Sequence, residues 1–311
     1  MEVPTFISPD LGTSVWQQTE DIDQITPFLD QWWDKQGTKK AGIPAGMLQE
    51  DSPLDRGAPK GMIFHASRCG SSAVVNYFQA YEEVVVLPEA QPLGLVSMTG
   101  NPAMNNGWSG KRKSLLRGLV ATYTHALAES QHLVLKLASW NILGMSIFAE
   151  VFPQTPILTV IRQPSEILVS LVRQPSGIAS LRHQPAFAKA IFPFDAESCQ
   201  TDEEFLARTL TSFYDAIWEF HQQHPDTLQV LDYKDLNAER LNRVADHFGL
   251  EEGNRAAIES LKYDAKATQQ KPRIYEEDSA AKQKLAKGRL AELAESLCQS
   301  SYERLLSLAM D

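Results

Sequence analysis

The chain has few cysteines and no long hydrophobic run. Its 311 residues include three cysteines, Cys69, Cys199 and Cys298. An odd, widely scattered set without zinc-ligand spacing argues against a disulfide framework and a zinc site. No sequence segment approaches the roughly 20 apolar residues of a membrane-spanning helix, and the first residues, MEVPTFISPD, lack the basic-then-apolar pattern of a secretory signal. We therefore expect a cytoplasmic protein with no membrane insertion and no metal.

Positive charge is also scarce. The 29 lysines and arginines are outnumbered by 39 aspartates and glutamates, which gives a net charge of −10. This balance opposes binding to nucleic acid or to anionic membrane surfaces. An anionic ligand must therefore be held by a local cluster of cations. The hydrophobic content of 43% is typical of a globular protein, and the length allows one large domain or two small ones.

The order of apolar segments predicts an α/β fold with a mostly parallel sheet flanked by helices. The predicted strands are 61–66, 84–88, 132–138, 156–162 and 227–233. The predicted helices are 72–82, 111–130, 141–151, 165–173, 202–223, 237–248, 254–262 and 279–308. Two long connections, 91–110 and 174–201, carry no clear periodicity and are predicted to be irregular lids or binding loops.

The first 60 residues differ in composition from the rest, being rich in Pro, Gly, Asp and Gln. We expect an N-terminal extension, residues 1–60, that packs on a main domain of residues 61–311. Trp16, Trp32 and Trp33 are its predicted anchors, and one helix is predicted around 22–35. The sequence shows no internal repeat and no low-complexity tract.

A short apolar run ends in a loop of small and basic residues at Gly61–Tyr77, GMIFHASRCGSSAVVNY. A strand that turns tightly into a helix presents free N–H groups and the helix dipole to an anion. Gly70 permits close approach of the backbone, and Arg68 supplies a forked cation. Ser71 and Ser72 are candidates to cap the helix or to donate hydroxyls. The loop predicts a phosphate-like ligand, but it lacks the Gly-Lys-[Ser/Thr] ending of the nucleotide triphosphate loop and so does not specify ATP.

A second motif lies at Pro156–Arg173, PILTVIRQPSEILVSLVR. Arg162 ends an apolar run, and Ser170 follows eight residues later on a predicted amphipathic helix. An arginine at a strand's carboxyl end and a serine two helical turns further on can converge on one phosphate.

Together, these motifs resemble those of the sulfotransferases that use 3′-phosphoadenosine 5′-phosphosulfate (PAPS). The stretch Ser67–Ser72, SRCGSS, is similar to the family's phosphosulfate-binding loop, and Arg162 with Ser170 is similar to its 3′-phosphate element. The resemblance implies a P-loop-like sulfotransferase fold and PAPS as the sulfate donor. It further implies that Arg68, Cys69, Gly70, Ser71 and Ser72 bind one end of the cofactor.

Sulfuryl transfer requires cations on the leaving group and a base for the acceptor proton. Arg68 is the candidate cation, with a surface ion pair as its alternative. Glu89, at the predicted end of the second strand, is the candidate base; near a phosphosulfate, like charge and burial are expected to raise its pKa. His65, before the loop, is the second candidate base. Lys136 interrupts an apolar run and is expected to contact Glu89 or the sulfonate, or to form a structural ion pair.

Three residues of the polar stretch 266–282 are further candidates for the 3′-phosphate: Lys266, Lys271 and Arg273. The resemblance implies that a basic loop in this region closes over the cofactor, although a solvated charge run has the same composition. Cys69 is interpreted as a small loop residue, with a nucleophilic role as the alternative.

The sequence therefore favours transfer of a sulfuryl group from PAPS to a hydroxyl or amine of a small-molecule or carrier-bound acceptor. A nucleotide-dependent kinase and a non-catalytic nucleotide-binding module on the same fold remain alternatives. Neither the acceptor nor the oligomeric state follows from the residues.

Overall fold

A computed structural model describes residues 2–7, 14–18, 39–41, 57–98, 111–175, 177–263 and 273–309. Within these ranges the strands are β1 Glu2–Ile7, β2 Ser14–Gln18, β3 Lys39–Ala41, β4 Gly61–His65, β5 Val84–Pro88, β6 His132–Lys136, β7 Ile157–Ile161 and β8 Leu228–Asp232. None of the helices in the described part of the chain combines the length and hydropathy required to cross a bilayer.

The main sheet has five strands among the described residues, in the order β5-β6-β4-β7-β8, and every pair is parallel. All residues of β4, β5 and β7 are buried, as expected for strands covered by helices on both faces. The predicted α/β class and mostly parallel sheet are thus confirmed, and β4 lies at the centre.

The helices are formed by short amphipathic segments, and capping residues and prolines mark where several of them begin. They are α1 Ser71–Gln79, α2 Gln91–Met98, α3 Arg112–His125, α4 Met145–Val151, α5 Pro164–Arg173, α6 Gly177–Ser180, α7 Pro185–Ile191, α8 Asp202–Gln223, α9 Ala238–His247, α10 Arg255–Ser260, α11 Ser279–Leu285, α12 Arg289–Leu293 and α13 Gln299–Ala309. Thr201 and Asn237 cap α8 and α9 through their side-chain oxygens, and Pro164 opens α5.

The N-terminal strands form a separate antiparallel sheet, β1-β2-β3, that packs against helices of the main domain. The Tyr123 hydroxyl donates to the Pro4 carbonyl at 2.6 Å, and the Gln91 amide exchanges two 3.0 Å hydrogen bonds with the backbone of Ile7. Trp16 is buried. Trp32, Trp33 and the helix predicted at 22–35 lie outside the described residues, and the domain division at residue 60 stays a prediction.

Three predictions of local structure are wrong. The connection predicted as irregular at 91–110 begins with α2, whose Pro and Gly resemble breakers although Leu93, Leu95 and Val96 are buried against the core. Residues 174–201 contain short helices, because prolines divide the segment without preventing single helical turns. The helix predicted at 279–308 is interrupted before α12 by Gly288, which has a φ of 54°.

Candidate active site

The carboxyl ends of the parallel strands meet at one edge of the main sheet. β4 ends at His65, β5 at Pro88 just before Glu89, β6 at Lys136, and β7 at Ile161 just before Arg162. From β4 the chain runs to one side of the sheet and later returns to β7 on its other side. Such a switch point is where open α/β sheets bind ligands, and the loop at residues 66–70 lies there.

The backbone of this loop adopts an unusual conformation. Ser67, Arg68 and Gly70 have φ values of 67°, 49° and 87°, and residues other than glycine adopt such values only when the surrounding structure holds them. Gly70 is required sterically as well, because a Cβ there would lie 2.6 Å from the Tyr233 ring. The loop is thus a tight, built turn between β4 and α1.

The first turn of α1 follows this loop directly. Its N-cap is Gly70, and no side chain forms a capping hydrogen bond there, so the expectation that Ser71 or Ser72 caps the helix is wrong. Ser71 is buried and Ser72 is half-buried. The uncapped turn therefore retains the N–H groups and dipole that attract an anion.

The two sequence motifs, far apart in the chain, touch in the structure. The Arg68 Nε donates to the Ser170 Oγ at 2.9 Å, and its Nη2 donates to the Gln174 Oε1 at 2.5 Å. Burial lowers the pKa of Arg68, and the nearby charge of Arg162 acts in the same direction. The arginine of the first motif and the serine of the second thus belong to one site.

Arg162, at the end of β7, is buried among carboxylates. Its Nε donates to Glu166 at 2.6 Å and its Nη2 to Asp278 at 2.6 Å. The Tyr233 ring lies beneath the guanidinium at 3.8 Å, a cation–π arrangement. Burial opposes the charge, but the hydrogen bonds that Arg162 donates to Asp278 and Glu166 outweigh burial and raise the pKa of Arg162.

Lys282, which the sequence did not single out, completes this cluster. Its Nζ lies 2.7 Å from Asp278 Oδ2, one turn away at the start of α11. Burial lowers the pKa of Lys282, and the charges of Arg162 and Arg68 lower it further, whereas Asp278 raises it. The i,i+4 spacing of Asp278 and Lys282 is the one sequence feature that could have indicated this ion pair. Arg273 is exposed, and Lys266 and Lys271 lie outside the described residues.

Glu89 lies at the same edge and is paired with Lys136. The Lys136 Nζ donates to Glu89 Oε1, and the Glu89 backbone N–H donates to the Lys136 carbonyl at 2.6 Å. Burial raises the pKa of Glu89, but the Lys136 charge and the His65 hydrogen bond outweigh burial and hold it at about 2. The pKa is lowered here because the lysine of the neighbouring strand neutralises the carboxylate directly, and the raised pKa expected beside a phosphosulfate stays a prediction.

His65 contacts both the loop and Glu89. The Ser67 backbone N–H donates to its Nδ1 at 3.2 Å, so that nitrogen carries no proton. Nε2 therefore carries the proton and donates to Glu89 Oε1 at 3.2 Å. Burial, and next the charge of Lys136, lower the pKa of His65. His65 thus connects the loop with Glu89, and its role as a base stays a prediction.

Cys69 is fully buried inside the loop, and burial raises the pKa of its thiol to about 11. A thiol in this state does not act as a nucleophile at neutral pH, which agrees with its interpretation as a small loop residue. In the described ranges, no group of three or more His, Cys, Asp or Glu residues is arranged to hold a metal ion.

Comparisons with known proteins establish the fold. No family model and no curated protein matches the sequence. A sulfotransferase from Alicyclobacillus acidocaldarius is similar in structure, with a TM-score of 0.51, 12% identity, and coverage of 81% of this chain and 96% of that chain. At this identity the likeness shows that the chain has the α/β fold of sulfotransferases.

Two other sulfotransferases also align. A domain of the Synechococcus PCC 7002 olefin synthase has a TM-score of 0.45 at 14% identity, over 82% of this chain and 95% of that one. A Mycobacterium tuberculosis sulfotransferase has a TM-score of 0.47 at 13% identity, over 78% and 77%.

Proposed function

We propose that the protein is a sulfotransferase that moves the sulfuryl group of PAPS to a hydroxyl or amine of an acceptor. The observation that carries the proposal is the 2.9 Å hydrogen bond from Arg68 to Ser170. It brings the loop at 66–70 and the Arg162 motif to one sheet edge, close enough for one nucleotide to contact both.

The residues at this edge fit the two charged ends of PAPS. The uncapped first turn of α1 and Arg68 suit the phosphosulfate, while Arg162 and Ser170 suit the 3′-phosphate. When bound, PAPS supplies the sulfuryl group and leaves as adenosine 3′,5′-bisphosphate (PAP). Arg68 stabilises the charge that develops on the leaving phosphate.

Glu89 and Lys136 divide the remaining work. Lys136 neutralises Glu89, and the paired carboxylate is a weak base. Glu89 would regain basicity if Lys136 turned to the sulfonate of bound PAPS, because the pKa of Glu89 depends on that charge. Glu89 accepts the proton of the acceptor as the new oxygen–sulfur or nitrogen–sulfur bond forms.

The donor is tested by calorimetric binding of PAP, adenosine 5′-monophosphate (AMP) and ADP. We expect PAP to bind at least about tenfold more tightly than AMP, which is about 1.4 kcal/mol. Arg162→Ala should abolish the difference, whereas Arg182→Ala, which removes an arginine paired with Asp202, should leave it intact. Equal affinities for the three nucleotides in the unmodified protein contradict the proposal.

The acceptor is sought with radiolabelled PAPS against hydroxyl-bearing lipids, sugars, peptides and phenols. One observation favours a second candidate, a non-catalytic nucleotide-binding module: the strong Lys136 pairing that holds the Glu89 pKa near 2. Tight PAP binding with no sulfated product from any acceptor supports that module. Magnesium-dependent ATP turnover supports a kinase.

A further inference from the structure

The proposed 3′-phosphate site already contains an anion of the protein itself. Asp278 Oδ1 accepts a hydrogen bond from Arg162 Nη2 at 2.6 Å, and Oδ2 lies 2.7 Å from Lys282 Nζ. Arg162 Nη2 also donates to Ser279 Oγ at 3.2 Å. One guanidinium, one ammonium and one hydroxyl are the groups expected around a phosphate monoester.

The positive charges of this cluster stabilise the ionised form of Asp278. Burial opposes ionisation, but Lys282 and Arg162 outweigh burial and lower the pKa of Asp278. The Asp278 charge also acts on Arg68 and raises its pKa, opposing the effect of burial. Asp278 therefore carries a full negative charge at neutral pH, where the three cations Arg68, Arg162 and Lys282 act together.

Neutralising Arg162 does not by itself require Asp278. Arg162 has a second carboxylate, Glu166, which is buried, accepts from Nε at 2.6 Å and is held in turn by Gln283 at 2.8 Å. The Asp278 side chain is 49% exposed and lies at the end of an irregular segment, 275–278, that leads into α11. Glu166 is thus the fixed partner, and Asp278 is the partner that solvent and ligands can reach.

A small cavity also lies beside Arg162. It has a volume of about 110 Å³ and is lined by Tyr233, Ser279 and Gln283 among others. Asp278 itself occupies the hydrogen-bonding groups of Arg162 and Lys282, so a nucleotide phosphate that uses these groups must displace it.

We propose that Asp278 is a specificity-determining residue, an internal anion that occupies the 3′-phosphate position until the 3′-phosphate of the cofactor displaces it. This inference rests on the proposed function. A dianionic phosphate outcompetes one carboxylate for Arg162 and Lys282, whereas a nucleotide without a 3′-phosphate leaves Asp278 in place. Every ligand that occupies the 3′-phosphate position must displace Asp278, and the free energy required lowers its affinity. The affinity for PAP is therefore reduced, whereas the affinity for AMP, which has no 3′-phosphate, is not.

The test compares PAP and AMP binding by calorimetry, at one ionic strength, to the unmodified protein and to Asp278→Asn. We expect PAP to bind at least about fivefold more tightly to Asp278→Asn, while AMP affinity changes by less than about twofold. Asp278→Glu, which keeps the charge, should behave as the unmodified protein. Unchanged urea midpoints for both variants establish that they are folded.

A matched control is Asp215→Asn. Asp215 also pairs with an arginine, Arg304 at 2.5 Å, and with a serine hydroxyl, and its side chain is 42% exposed. Asp215 lies on α8, and the Asp215→Asn substitution removes the same charge from the protein as Asp278→Asn. We expect no change in PAP affinity, which separates local competition from the change in net charge.

Four results overturn the inference. Weaker PAP binding to Asp278→Asn shows that Asp278 only orients Arg162. Equal tightening of PAP and AMP shows a general charge effect. If the unmodified protein prefers PAP to AMP but PAP does not bind more tightly to Asp278→Asn, Asp278 does not compete with the 3′-phosphate, and the proposed function still stands. If neither protein distinguishes PAP from AMP, the proposed function has failed, and the inference fails with it.

Discussion

His65 and Glu89 are joined by a 3.2 Å hydrogen bond in which the imidazole Nε2 is the donor. The direction is set on the other side of the ring, where the Ser67 backbone N–H occupies Nδ1. The phosphate-binding loop and the candidate base are therefore linked through one neutral imidazole.

The first prediction concerns the tautomer of this imidazole. Burial lowers the pKa of His65 below its usual 6.5, so the neutral Nε2–H form should persist through pH 7 and become protonated only in more acidic solution. Long-range ¹H–¹⁵N spectra of the imidazoles measure this, with the signal assigned by its absence in His65→Gln. An Nδ1–H tautomer contradicts the tautomer assigned to His65, and titration at or above pH 6.5 contradicts the lowered pKa.

The second prediction concerns the pairing of Glu89 with Lys136, whose side chain is 4% exposed. Glu89→Gln leaves a buried ammonium without its counterion and should lower the free energy of unfolding by about 3 kcal/mol. Lys136→Met in the same background removes that charge and should restore most of the loss. Urea unfolding of the two single variants and the double variant measures the coupling, and additive effects would show that the two groups do not interact.

The third prediction is the pH dependence that this pairing causes. Glu89 has a pKa of about 2 when folded, against 4.5 for the ordinary group, so the unfolded chain binds its proton at a higher pH. The stability that Glu89 contributes is fully present above about pH 4.5 and is lost as the pH falls towards 2. Between pH 6 and pH 3.5 the unmodified protein should therefore lose more stability than Glu89→Gln. If the unmodified protein and Glu89→Gln give parallel profiles of unfolding free energy against pH, the pKa of Glu89 is not lowered by folding.

The sequence predicted which residues lie at the carboxyl edge of the sheet because its signals are local. His65, Glu89 and Arg162 each stand at the end of an apolar run, Lys136 interrupts one near its end, and in parallel strands such positions share one edge. Each residue could be placed there without knowing its partners, because the apolar pattern alone marks the end of a strand.

The partners were not predictable, since they depend on contacts between distant segments. Asp278 lies 116 residues from Arg162, and nothing in the irregular stretch before α11 marks that carboxylate above its acidic neighbours. The lowered pKa of Glu89 in the protein alone was likewise not predictable, because its value depends on Lys136, 47 residues away. Local patterns indicate where a charge lies, whereas its strength depends on the tertiary neighbours.

The last prediction concerns Gly70, where two separate constraints act. Its φ of 87° is unfavourable for any other residue, and a Cβ would lie 2.6 Å from the Tyr233 ring. The ring cannot move freely, because its hydroxyl contacts Tyr275 and its face packs on Arg162. Gly70→Ala should therefore combine a backbone cost with a steric cost, about 3 kcal/mol in total.

Gly253 separates these two costs. Its φ is 76°, but a Cβ there would meet nothing within 4 Å, so Gly253→Ala should cost only the backbone strain of about 1 kcal/mol. Urea unfolding gives both values, and calorimetry with PAP should show weakened binding for Gly70→Ala alone. Equal destabilisation by the two substitutions would mean that the Tyr233 ring yields to the new methyl group despite its packing on Arg162.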